Sequence, residues 1–158
     1  MIYTLVAFAI IGAVLAFAKP KIEELQDRAI VEQSISIMKE IDSVIKDIGV
    51  PGNKRVLDLS IKKGVFKISG GTNELVFEIE GRSEYSEPGK EIADGNLLIK
   101  TEKKNEMSVV TITREYGLLD LRYNGNDEDK VLSAASTPYK LTISSEEDGG
   151  KIINLLVE

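Results

Sequence analysis

The side chains able to do chemistry are few, and their spacing rules out most reactions. The 158-residue chain has no histidine and no cysteine. It therefore lacks the commonest general base near neutral pH, every thiolate nucleophile and every zinc–thiolate site. No serine has a histidine to activate it, and neither GxxxxGKS/T nor GxGxxG occurs, so no loop is built to cradle phosphate. Carboxylates remain. Asp127-Glu128-Asp129, with Asn124 and Asn126, offers the hard oxygen ligands that Ca²⁺ takes, but it lacks the twelve-residue loop with a central Gly and a closing Glu. It reads as a solvated hairpin tip, and Ser145-Glu146-Glu147-Asp148 reads the same way. No metal, cofactor or catalytic residue is expected, and the chain is not expected to be an enzyme. A net charge of −6, with lysines and arginines scattered singly or in pairs, gives no basic footprint for nucleic acid.

Function must then lie in surfaces, and the apolar pattern says which. Met1–Ala18 carries no charge and one polar side chain, Thr4. It is apolar on all sides and sits near the length needed to span a bilayer. Its large residues are Ile2, Leu5, Val6, Phe8, Ile10, Ile11, Val14, Leu15 and Phe17, and Gly12 with several alanines would let neighbouring helices approach closely. Ala16-Phe17-Ala18 resembles a signal-peptidase site, yet no basic residue precedes the run as a signal peptide requires.

Lys19-Pro20-Lys21 forms a polar collar, and Pro20 predicts a kink or softening because it lacks an N–H. Helical periodicity resumes at once. Ile37, Ile41, Val44 and Ile48 form a seam expected to pack on a head domain, while Val31, Ile35, Met38 and Ile45 form a second stripe expected to stay free for another surface. Asp27 and Asp42 are read with the other charges as solvent-facing. Gly49 and Pro51 predict the helix end. The reading is one helix over residues 2–48, too long to be contained in a head of about one hundred residues.

After Gly52 the apolar period becomes two. Runs such as Leu57-Asp58-Leu59, Leu75 to Ile79, Met107 to Thr113, Tyr139 to Ile143 and Ile152 to Val157 alternate between turn signals, of which Asn124-Gly125 is the strongest. Eight or nine antiparallel strands are expected. The fold class is α+β: a long N-terminal helix, apolar then amphipathic, carrying an all-β antiparallel sandwich-like head, with residues 1–50 as the membrane or assembly helix and 51–158 as the head.

This arrangement resembles a mature type IV pilin of the archaeal kind, on the strength of the apolar Ile2–Ala18 run, its continuation as an amphipathic helix and the all-β remainder. The resemblance implies that a prepilin peptidase removes a basic leader and that pilus assembly machinery draws subunits from the cytoplasmic membrane. It further implies an extracellular homopolymeric filament with helices bundled in its core and β heads outside. Pro20 falls near where many pilins carry a helix-loosening proline. Leu5 stands where many bacterial pilins have Glu, so docking on a buried carboxylate is not implied. The competing reading is a single-pass membrane-anchored β-sandwich binding module, such as a minor pilin or surface-layer accessory.

Overall fold

A computed structural model of the chain describes residues 2–146 and 151–158. Helix α1 spans Ile2–Asp47 with Pro20 inside it, and its 46 residues give a length of about 69 Å. The helix continues through Pro20 although the Ala16 carbonyl has no N–H to accept there. Its end differs from expectation. Gly49 does not take the left-handed conformation. The chain turns at Gly52 (φ 84°), whose N–H donates to the Ser145 carbonyl at 2.9 Å.

Ten strands follow among the described residues: β1 Lys54–Leu59, β2 Val65–Ser69, β3 Glu74–Gly81, β4 Glu91–Asp94, β5 Leu97–Lys104, β6 Met107–Glu115, β7 Asp120–Tyr123, β8 Asp129–Ser133, β9 Tyr139–Ser145 and β10 Ile152–Val157. They form a four-stranded sheet in the order β1-β9-β10-β7 and a six-stranded sheet in the order β4-β5-β6-β3-β2-β8. All pairings are antiparallel except β7 with β10. The α+β layout is the expected one. The turn signal at Asp148-Gly149-Gly150 lies outside the described residues. Asn124 and Gly125 both have positive φ (52° and 79°), as a type I′ turn demands. Their hairpin is only one bridge long, Tyr123 with Asn126, because β7 pairs onward with β10 and β8 crosses to β2.

Alternation places Leu75, Phe77 and Ile79 of β3, Val110 and Ile112 of β6, and Phe66 and Ile68 of β2 inward. The Phe66 and Phe77 rings pack tilted, with centroids 5.8 Å apart. Opposite them stand Leu141, Ile143, Ile153 and Leu155 of the smaller sheet, and the helix residues Val31, Ile35, Met38, Ile41, Ile45 and Ile48 join the same core. The helix thus shares the inward face of the large sheet with the small sheet.

The expected division of the helix into a packed seam and a free stripe is corrected here. Val31, Ile35, Met38 and Ile45 are buried together with Ile41 and Ile48, while Ile37 and Val44 are half-buried at the margin. At about 100° per residue, the centre of the covered arc lies between the two stripes, and Ile37 and Val44 fall on its edge. One face of the helix serves one head.

Candidate functional site

The most distinctive surface is the stalk. From Ile2 to Ile22 the large apolar side chains have no covering: Ile2, Leu5, Val6, Phe8, Ile10, Ile11, Val14, Leu15 and Phe17 are all at least half exposed, Phe17 at 82%. A Cβ placed on Gly12 would meet no atom within 4 Å. The helix is long and apolar enough to cross a membrane. Burying each large side chain is worth at least about 1.5 kcal/mol, so the stalk offers on the order of 15 kcal/mol to whatever takes it out of water. That rivals the net stability of a whole domain, about 5–15 kcal/mol. The stalk is an uncovered apolar surface, and apolar burial is the force that would act on it.

Two aspartates join this surface to the head. Asp27 and Asp42 are each 7% exposed, on the covered face of α1 rather than in solvent as expected. Asp27 accepts from Lys63 Nζ at 2.5 Å and from the Arg82 backbone N–H at 2.7 Å. It comes this close because position 81 is glycine: a Cβ there would stand 2.6 Å from Asp27 Oδ2. Arg82 also pairs with Glu23 at 3.0 Å. Asp42 accepts from Arg114 Nε at 2.6 Å, Lys46 Nζ at 2.5 Å and Asn96 Nδ2 at 3.3 Å. Burial pushes the Asp42 carboxyl up, but the Lys46 and Arg114 hydrogen bonds, the Arg114 charge and Asn96 more than offset it, and its pKa lies below the ordinary value. Arg114 in turn lies over the Tyr116 ring at 4.4 Å, close enough for cation–π attraction. The Tyr116 phenol is held well above its ordinary pKa, first by burial and then by the Asp42 charge.

The two pins sit at opposite ends of the large sheet. Gly81 pairs with Ser108, and Leu75 with Arg114, on the β3–β6 ladder; six residues of strand separate these pairs, about 20 Å. Asp27 and Asp42 are fifteen residues apart on α1, about 22 Å. The matching spans set the helix alongside β3 and β6 and fasten it at both ends. Asn73 (φ 56°) braces the distal end: its side-chain oxygen accepts from the Leu121 N–H at 2.7 Å, and its carbonyl from the Tyr116 N–H at 2.8 Å.

Of the two pins only Asp27 leaves a periodic trace in the sequence. Asp27, Val31, Ser34, Met38, Ile41 and Ile45 follow one another at spacings of three and four, which puts a carboxylate in line with an apolar stripe. The structure does not collect the acidic tip into a site. Asp127 pairs with Arg122 at 3.6 Å, Asp129 opens β8, and no group of three or more carboxylates among the described residues is arranged to hold a metal. Comparison with protein-family models, with curated proteins and with solved structures gives no match.

Proposed function

We propose that this chain is a structural subunit of an extracellular type IV pilus-like helical filament, in which the stalks bundle in the core and the β heads form the outer surface for adhesion or cell–cell contact. The subunit waits in the cytoplasmic membrane before assembly, where a prepilin peptidase and pilus assembly machinery act on it. The observation that carries this reading is the uncovered apolar stalk continuing as one helix into a firmly pinned head. Exchange of lipid for neighbouring helices is nearly neutral for such a surface, and a head-to-tail contact that does not close generates a filament. Electron micrographs of sheared cell-surface material, labelled with antibody to the head, test it. Labelled filaments are the expected result.

The second reading, a single-pass membrane-anchored surface module, is favoured by the stalk's capacity to cross a bilayer on its own. Recovery of the chain only from detergent-solubilised membranes, with no labelled filaments, would sink the filament and establish the anchor.

A further inference from the structure

One hairpin of the head reaches down almost to the end of the apolar run. Gly81 packs on Asp27 and pairs with Ser108 near the start of β6. The β5–β6 hairpin closes in two residues, Asn105 and Glu106, between the paired Lys104 and Met107, with Asn105 at a left-handed φ of 59°. These turn residues lie two to three positions nearer the stalk than Ser108, about 7–10 Å along the strand. The same distance down α1 leads from Asp27 to about Pro20–Ile22. A groove between stalk and hairpin agrees with this level, since it is lined by Phe17 and Pro20 together with Arg82 and Glu106.

Ala18 closes the apolar run, so the hairpin tip stands about 3–6 Å beyond it along the helix axis. The polar layer on each side of a bilayer's hydrocarbon core is about 5–8 Å thick. With Ile2–Ala18 in the hydrocarbon, the tip therefore falls among the lipid headgroups. A stalk tilt of about 20° moves a point about 10 Å to one side by only about 3 Å, which leaves it at the membrane surface.

The chemistry of the tip suits that layer. Glu102, Lys103, Lys104, Asn105 and Glu106 are consecutive exposed residues, none of them apolar. The neighbouring cations are engaged: Lys19 and Arg82 with Glu23, Lys21 with Glu24, and Lys103 with Glu84. Lys104 has no ion-pair partner among the described residues, and a lysine at headgroup depth finds one in a lipid phosphate.

We propose that the β5–β6 hairpin tip is a membrane-surface contact, resting among the headgroups of the bilayer that holds the stalk, with Lys104 taking a lipid phosphate. This rests on the stalk lying in a bilayer, which the filament and anchor readings share. The contact stands to one side of the stalk, so it acts as an outrigger that limits the lean of the subunit towards that side.

The chain has no cysteine, so single-cysteine variants of the full chain carry a fluorophore at one place. Glu106→Cys marks the hairpin tip and Glu128→Cys the opposite end of the head; neither carboxylate has an ion-pair partner among the described residues. Leu15→Cys marks the stalk. Each variant is reconstituted into vesicles of equimolar phosphatidylcholine and phosphatidylglycerol that carry a nitroxide on either the headgroup or the acyl chain. The acyl-chain nitroxide is expected to quench the probe at position 15. The headgroup nitroxide is expected to remove most of the emission at position 106 and little at position 128. Adding Lys104→Gln should lower the headgroup contact at position 106 about fivefold, the weight of one lysine at an anionic surface. Acyl-chain quenching at position 15 with equal headgroup quenching at the two head positions overturns the contact and leaves the stalk in the bilayer. No acyl-chain quenching at position 15 overturns the bilayer reading, and the contact with it. A tip contact unmoved by Lys104→Gln overturns the assignment of the phosphate to Lys104.

Discussion

Gly81→Ala tests the pinning of the stalk to the head at a single methyl group. The added Cβ would stand 2.6 Å from Asp27 Oδ2 and 2.8 Å from its Cγ, so the carboxylate must retreat by about 0.8 Å to reach ordinary contact. That retreat stretches the 2.7 Å bond from the Arg82 N–H beyond hydrogen-bonding range and loosens the Lys63 pair. Overpacking of this kind costs about 1–3 kcal/mol, and loss of a hydrogen bond to a charged group about 1.5–3 kcal/mol. Reduced freedom of the unfolded chain returns about 0.4–1 kcal/mol. The net is about 1.5–5.5 kcal/mol, read as a fall in melting temperature of about 5–20 °C for a folded unit of this size. Circular dichroism of the full chain in detergent micelles, as a function of temperature and of denaturant, measures it. The decisive control is the Asp27→Ala background. There the carboxylate is gone and only the Cβ of residue 27 remains close, at 3.1 Å, so Gly81→Ala should cost at least about 1 kcal/mol less than in the wild-type background. An equal loss in both backgrounds would refute the reasoning, because Asp27 would then not be what the methyl strikes.

Four further outcomes follow from the same geometry. Asp42 has a folded pKa below its ordinary 3.8, so its contribution is present above that value and is lost as pH falls through the folded one. Asp42→Asn should cost about 2–4 kcal/mol at neutral pH, less than a fully buried pair because Arg114 and Lys46 keep contact with water, and acid titration of its stability should be flatter than wild type. Tyr116, raised from 10.0, contributes stability that is present below that pH and drains away above it, so Tyr116→Phe should unfold less readily in alkali. Its buried hydroxyl has no hydrogen-bond partner among the described residues, so the change at neutral pH should stay within about 1 kcal/mol. Asn73→Ala strands the Leu121 N–H and leaves an alanine at a left-handed φ of 56°, and should cost about 1–3 kcal/mol in denaturant titrations. Gly12→Leu should leave the melting of the head unchanged, since no atom of the described residues lies within 4 Å of the added Cβ, while on the proposed filament reading the yield of filaments from cells drops sharply.

What the sequence disclosed and what it withheld divide along physical lines. The long helix and the change of period after Gly52 were readable because each repeats over many residues, and both elements are present. Short edge elements were not: β4 has four residues with three exposed, and β8 begins within the acidic tip, at Asp129. The parallel β7–β10 pair carries no local mark at all, since it joins segments about thirty residues apart. Asp27 and Asp42 were hidden by their type. A carboxylate on a helix ordinarily faces water, and only the arrival of Lys63, Arg82 and Arg114 from remote strands makes a buried one stable. Nothing local in the sequence marks Gly81, whose role is to leave room for one oxygen.

The helix lying along β3 and β6, fastened at both ends, also has a mechanical meaning. A pull on the stalk is directed along the helix axis and therefore along the strands beside it. Such a load slides the helix against the sheet in shear, so both aspartate pins and the apolar contacts between them resist together. A helix crossing the sheet would instead be peeled away, one contact failing after another. The same arrangement that folds the head makes it an anchor suited to tension.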